Sequence, residues 1–177
     1  VIRLFVGLDL PGDVARRLEA LGGGIPGARW VAARNLHVTL RFVGEVDEGV
    51  AAEIDAALLA LRAPGFELSL DGFGTFGHGK PNHLWAAVER APGLMHLQGR
   101  VDVALNRLGL VSETRRYLPH VTLARLSDPP VQRLKDFIAG HSPFQAGPWT
   151  VEHFVLYRSH LGRSGAEYEA LAEYPLG

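Results

Sequence analysis

The sequence predicts an α+β fold built from two related lobes, and two observations carry that expectation. The tetrapeptide His37-Val38-Thr39-Leu40 returns as His120-Val121-Thr122-Leu123, almost half of the 177-residue chain later. Strand-like runs also alternate with helix-patterned segments in the order β-α-β-β-α-β-β-α-β, with one copy of the tetrapeptide in each half. Val, Thr and Leu favour extended structure, and successive side chains of a strand point to opposite faces. His37 and Thr39 therefore share a face, as do His120 and Thr122, while the Val and Leu of each copy anchor the strand in a core. Two such strands facing across a cleft bring two imidazoles and two hydroxyls to one place.

The individual elements follow from periodicity and punctuation. Residues 1–10 alternate into a strand closed by Pro11-Gly12-Asp13, and a helix runs from there to Leu21, before three glycines. A short extended piece covers Arg29 to Val31. The first motif strand spans Leu36 to Val43 and stops at Gly44. Asp47 caps a second helix whose apolar stripe is Val50, Ile54, Leu58 and Leu61. Phe66 to Leu70 forms a strand, and the glycine-rich stretch from Gly72 to Gly79 reads as a loop. That loop lacks the Lys-Ser/Thr ending of a phosphate-binding P-loop. A strand from His83 to Glu89 and a helix from Pro92 to Leu108 lead to the second motif strand, Tyr117 to Leu126. Pro129-Pro130 opens a short helix to Ala139, and strands over Thr150–Arg158 and Tyr168–Leu176 close the chain.

Composition narrows the function classes. Hydrophobic residues make up 47% and charged residues 21%, enough to close a core in one domain spanning residues 1–177. A net charge of −1 argues against a surface-wide field for nucleic acid, so any such contact is local. The absence of cysteine excludes disulfides, thiol nucleophiles and cysteine-ligated metal centres. Arg3 and Asp9 interrupt the opening apolar run, which reads as a strand rather than a signal peptide, and no run approaches the ~20 apolar residues of a membrane helix. The expectation is a cytoplasmic protein with no membrane partner.

Two histidines on opposite sides of a substrate can give and take a proton in one step, which is what in-line displacement at phosphorus requires. Threonine hydroxyls beside them can donate to non-bridging oxygens as charge builds there. The arrangement needs neither metal nor other cofactor. A zinc site is the alternative use of the histidines, but each unit supplies one His, and His78 and His83 fit no standard ligand spacing. His96, His141, His153 and His160 carry no signature.

These residues resemble the signature of the 2H phosphoesterase superfamily, and the flanking text resembles its RNA 2′,3′-cyclic phosphodiesterases, also called 2′-5′ RNA ligases. The likeness covers Leu4 to Pro11, Trp30-Val31, Asn35 to Val46, Arg115, Tyr117, Pro119 to Arg125, Leu156 to Ser159, Tyr168 and Tyr174 to Leu176. It implies a bilobal fold, two pseudo-symmetric lobes with antiparallel sheets around a central cleft. It also implies hydrolysis of an RNA-terminal 2′,3′-cyclic phosphate, such as that on a tRNA half or another cleaved RNA, to a 2′-phosphate. His37 and His120 would then be catalytic, the first protonating the leaving oxygen and the second activating water, with Thr39 and Thr122 binding phosphate. Arg125 matches an arginine expected to hold phosphate, although strict alternation from His120 puts it on the opposite face unless the strand ends or twists. Arg41 alternates in step with His37 and Thr39, at the cleft rim. Phe42, Phe73, Phe76 and Tyr117 are candidates to stack a base.

The expected protein is a monomer. Ligation of a cyclic phosphate to a 5′-hydroxyl is the same chemistry with a ribose oxygen in place of water. The other readings are a phosphodiesterase acting on another 2′-5′ or cyclic phosphate nucleotide, and an RNA-binding module of the same fold with little catalysis.

Overall fold

The computed structural model describes residues 1–112 and 115–177, and among these described residues nine strands and four helices follow one another along the chain. In chain order they are β1 (Ile2–Asp9), α1 (Gly12–Ala20), β2 (Ala28–Trp30), a 3-10 turn (Ala33–Asn35), β3 (His37–Val46), α2 (Glu48–Ala60), β4 (Phe66–Phe76), β5 (His83–Val88), α3 (Pro92–Asn106), β6 (His120–Leu126), α4 (Val131–Gly140), β7 (Gln145–Val151), β8 (His153–Gly162) and β9 (Gly165–Pro175). They form two antiparallel sheets, one ordered β3-β1-β8-β9 and the other β2-β6-β5-β4-β7. Each sheet holds one motif strand, as the repeat predicts.

The two sheets are not drawn from the two halves of the chain separately. β2 leaves the first half to pair with β6, and β8 and β9 return from the second half to pair with β1. One continuous core fills the space between the sheets and their helices, with Leu4, Val6, Leu8, Val38, Ile54, Leu58, Leu84, Leu97, Val101, Val121 and Phe154 among its members. The carboxylate of Asp47 accepts from the Val50 amide at 2.8 Å, so α2 has the expected cap, and Ile54 and Leu58 are its buried stripe. Among the described residues no helix is long and apolar enough to cross a membrane.

Three sequence expectations need correction. The glycine-rich stretch is a strand through Phe76: Gly72, at φ +84°, sits in a bulge between Leu70 and Phe73, and pairing with β5 resumes beyond it. Gly44, at φ +90°, does not end β3, which continues to Val46. The single strand expected over Thr150–Arg158 is two strands, because the chain changes sheets at Glu152. A period-2 pattern looks the same on either side of such a crossing.

Candidate active site

Both motif strands carry the same irregularity. In β3, Thr39 pairs with Gly7 and Arg41 with Val6, so Leu40 is an extra residue. In β6, Thr122 pairs with Trp85 and Ala124 with Leu84, so Leu123 is extra in turn. A bulge at the Leu of each tetrapeptide resets the alternation. Leu40 and Arg41 are consecutively buried, as are Leu123 and Ala124.

The consequence is the same in the two copies: the residue after the Leu turns to the core and the one after that to the cleft face. Arg125 lands on the face of His120 and Thr122, and the twist that face required is this bulge. Arg41 lands on the core side instead. It is 7% exposed, and its guanidinium donates to Asp102 (3.0 Å), Asn106 (3.3 Å) and the Leu110 carbonyl (2.9 Å) at the end of α3. The cleft-rim placement expected for Arg41 is thus overturned, and Phe42 takes the cleft face, 67% exposed.

The two imidazoles are held alike. His37 Nδ1 lies 2.8 Å from the Asn35 carbonyl and His120 Nδ1 lies 2.8 Å from the Leu118 carbonyl. A carbonyl can only accept, so Nδ1 is the protonated nitrogen in each ring and Nε2 is left for chemistry. His37 Nε2 accepts from the Thr39 hydroxyl at 2.9 Å. Among the described residues His120 Nε2 and the Thr122 hydroxyl have no hydrogen-bond partner.

Aromatic rings wall both histidines. His37 lies 4.8 Å from Phe5, 5.1 Å edge-on from Tyr168 and 6.0 Å from Tyr157, ring centre to ring centre. His120 lies 4.9 Å edge-on from Phe76 and 5.9 Å from Trp85. Glycine makes the space on each side. A Cβ on Gly7 would stand 2.8 Å from the Val38 carbonyl and 3.6 Å from the His37 ring, and one on Gly74 would stand 2.2 Å from the Trp85 indole. Among the described residues, buried Trp85 Nε1 has no hydrogen-bond partner.

This packing sets the proton affinities. Burial pulls His37 down to about 4, with the nearby charge of His120 adding to the effect against its backbone hydrogen bond. Burial also lowers His120. Both rings are therefore neutral at pH 7 before substrate arrives, and an anion in the cleft favours protonating either.

The base-stacking candidates separate by position. Phe76 stands beside His120, and Phe42 lies at the exposed edge of the cleft, 6.1 Å from Phe5. Phe73 packs into the core against Phe137 and Phe144 and is unavailable to a base. The Tyr117 hydroxyl donates to the Thr39 carbonyl at 2.8 Å, tying the lead-in to β6 onto β3. Burial raises its pKa, which keeps it a neutral donor.

Sequence reasoning missed a group on the first sheet. Asp9, His153 and Glu173 each bring one ligand atom to within 4.8 Å of the others, and His153 Nε2 lies 2.9 Å from Asp9. Only strand pairing between β1, β8 and β9 unites them, and no spacing in the chain announces it. Neither motif histidine belongs to that group.

Comparison with known proteins agrees with this geometry. A family model described as the 2′-5′ RNA ligase superfamily matches residues 10–163. An Aeropyrum pernix protein named RNA 2′,3′-cyclic phosphodiesterase is 33% identical over 92% of this chain and 94% of its own. An Escherichia coli protein of the same name is 29% identical over 98% of this chain and 96% of its own. The crystal structure of E. coli LigT complexed with 3′-AMP superposes with a TM-score of 0.78 at 28% identity, covering 99% of this chain and 98% of that one.

Proposed function

The chain belongs to the 2′-5′ RNA ligase superfamily, and from that premise we propose that it hydrolyses an RNA-terminal 2′,3′-cyclic phosphate to a 2′-phosphate. The observation that carries the reading is the matched pair of histidines. Each has Nδ1 committed to a backbone carbonyl, which leaves Nε2 for chemistry, and His37 Nε2 accepts from the hydroxyl of Thr39.

In the reaction, His120 Nε2 takes a proton from water as the water oxygen bonds to phosphorus. The bond from phosphorus to O3′ breaks opposite it, and the imidazolium of His37 passes its Nε2 proton to O3′. The phosphate's own negative charge supplies the field that lets one of two otherwise neutral rings hold a proton. Thr39 and Thr122 donate to the non-bridging oxygens, and Arg125 pairs with them from the same face. Phe42, Phe76 and Tyr117 border the space for the terminal nucleotide.

No step calls on a metal, because the two imidazoles already supply acid and base. A 5′-hydroxyl in place of water gives the 2′-5′ ligation for which the family is named. The reading has residues 1–177 working as one bilobal unit, monomeric and cytoplasmic, on the ends of cleaved RNA such as tRNA halves.

The test is a short RNA ending in a 2′,3′-cyclic phosphate, incubated with excess chelator and the native protein, His37→Ala or His120→Ala. The expected product is a 2′-phosphate from the native protein, with each variant slower by about 10²–10⁴-fold. RNA binding without turnover in the native protein would establish a binding module instead, and turnover only on adding metal would move the chemistry to a metal site.

A further inference from the structure

Strand register in the second sheet sets four side chains in one line across the cleft face. Arg29 of β2 lies directly opposite Arg125 of β6, Arg125 lies opposite His83 of β5, and His83 lies opposite Phe76 of β4. Residues directly opposite in neighbouring strands project from the same face, about 4.8 Å apart from strand to strand. The bulge at Leu123 puts this line on the face of His120 and Thr122, one step further along the strands. The next residue of β2, Trp30, confirms the side. It points the other way and packs on Phe137 of α4, with ring centres 5.4 Å apart.

Like charges directly opposite each other destabilise a sheet. Among the described residues neither Arg29 nor Arg125 has an ion-pair partner, although the chain carries 19 acidic residues. The carboxylate nearest in sequence to Arg125, that of Asp128, is committed to Lys80 at 2.8 Å. His83 offers no counter-charge. Its Nδ1 is 2.7 Å from the Asn82 side chain, and burial and the charges of Arg125 and His120 hold it toward the neutral form. An anion placed between the two guanidinium groups would remove the repulsion.

We propose that Arg29, together with Arg125, forms a second phosphate subsite that takes the internucleotide phosphodiester adjoining the cyclic end of an RNA strand. This rests on the cyclic phosphodiesterase reading, since the line begins one step from the groups that hold the terminal phosphate. Arg125 then stands between the two phosphates, and Arg29 serves only the second. The site distinguishes a strand from a single nucleotide: a mononucleoside 2′,3′-cyclic phosphate fills the first position and leaves Arg29 unused.

The experiment compares kcat/KM for a mononucleoside 2′,3′-cyclic phosphate and for a trinucleotide with the same 3′ residue. The native protein is expected to prefer the trinucleotide at least tenfold. Arg29→Ala should lose most of that preference, Arg29→Lys should keep part of it, and Arg29→Glu should remove it entirely. The slope of log kcat/KM for the trinucleotide against log salt should become shallower by about 0.7 in Arg29→Ala, the loss of one phosphate contact on a single strand. Equal rates on the two substrates in the native protein would overturn the subsite. So would an Arg29→Ala variant that keeps the native preference and salt slope. Turnover of neither substrate by the native protein would instead overturn the cyclic phosphodiesterase reading, and the subsite with it.

Discussion

Asn35 holds His37 from two directions. Its carbonyl accepts from His37 Nδ1 at 2.8 Å. Its side chain reaches β9, where Nδ2 donates to the Ala166 carbonyl at 3.1 Å and Oδ1 accepts from the Tyr168 amide at 3.3 Å. The Tyr168 ring is in turn the edge-on wall of His37. One buried residue thus fixes both the direction of the imidazole and the distance of its neighbour. The corresponding residue in the second copy, Leu118, supplies the carbonyl but has an exposed side chain with no such anchor.

Removing the Asn35 side chain should therefore weaken catalysis without touching a reacting atom. Asn35→Ala leaves two backbone groups of β9 without their partner, at about 1–3 kcal/mol of stability, and frees the carbonyl to rotate away from Nδ1. A tenfold to hundredfold fall in kcat is the expected result, with KM changed less. Asn35→Asp keeps the acceptor for the Tyr168 amide but cannot donate to Ala166, so it should fall between the two. Steady-state kinetics and thermal melts of the three proteins check this. Loss of stability with kcat intact would show that Asn35 supports the fold alone.

The depressed histidines predict where activity peaks. With His37 lowered to about 4 and His120 also lowered by burial in the free protein, the state with one ring protonated and one neutral is most populated below the ordinary histidine value of about 6.5. The maximum of kcat/KM should lie in that range and fall toward alkaline pH. Bound phosphate raises both rings, so the maximum of kcat should sit at higher pH. A profile of kcat/KM that is flat from pH 5 to 8 would remove the pair from acid–base roles.

Stability should follow the same ionisations. A histidine depressed on folding binds its proton more readily in the unfolded chain, so its contribution is complete above the unfolded value of about 6.5. It is lost progressively as pH falls toward the folded value of about 4 for His37. The loss amounts to as much as about 3 kcal/mol over that window. The melting temperature of the native protein should therefore drop more steeply between pH 6.5 and 4 than that of His37→Ala.

The misplaced residues around the two motifs share one physical cause. The repeat located His37, Thr39, His120 and Thr122 on strands because apolar and polar residues alternate through each tetrapeptide. Alternation then failed at the next residue, since Leu40 and Leu123 each occupy a bulge, and a bulge leaves no mark in composition. That single inserted residue exchanged the fates of Arg41 and Phe42 and brought Arg125 to the cleft. Phe73, expected in a loop, is instead in β4, packed into the core beyond the bulge at Gly72. The line from Arg29 to Phe76 depends on strand pairing among four separate segments, which no local pattern encodes.

Arg41 gives a prediction about folding rather than chemistry. Its guanidinium joins β3 to α3 through Asp102 and Asn106, and to the chain just beyond α3 through the Leu110 carbonyl, in a nearly closed environment. Arg41→Leu would leave Asp102 and Asn106 facing an apolar group, and the expected cost is about 2–4 kcal/mol. Lysine cannot reach three acceptors with one planar fork, so Arg41→Lys should recover only part. Chemical denaturation reads both variants, and residual kcat in the folded fraction should remain near native. A kcat loss as large as that of His37→Ala would mean that Arg41 reaches the substrate after all.

Gly74 tests whether the wall of His120 is part of the machinery. The indole of Trp85 lies against the bare Cα of Gly74, and an added methyl at 2.2 Å from the ring leaves no room for both. Gly74 lies directly opposite Trp85 in the pairing of β4 with β5, so the methyl and the indole compete for one place and the indole has to move. Trp85 is directly opposite Thr122 and packs on Phe76, so its displacement disturbs the hydroxyl and the ring that border His120. Gly74→Ala should cost about 1–3 kcal/mol in stability and at least tenfold in kcat/KM. If the damage passes through the indole, the same Gly74→Ala change should be much milder in a Trp85→Leu background, where the shorter side chain leaves space for the methyl. A double-mutant cycle measures that coupling. Additive losses would show that Gly74 acts through the backbone of β4, and native activity in Gly74→Ala would show that the His120 wall tolerates rearrangement.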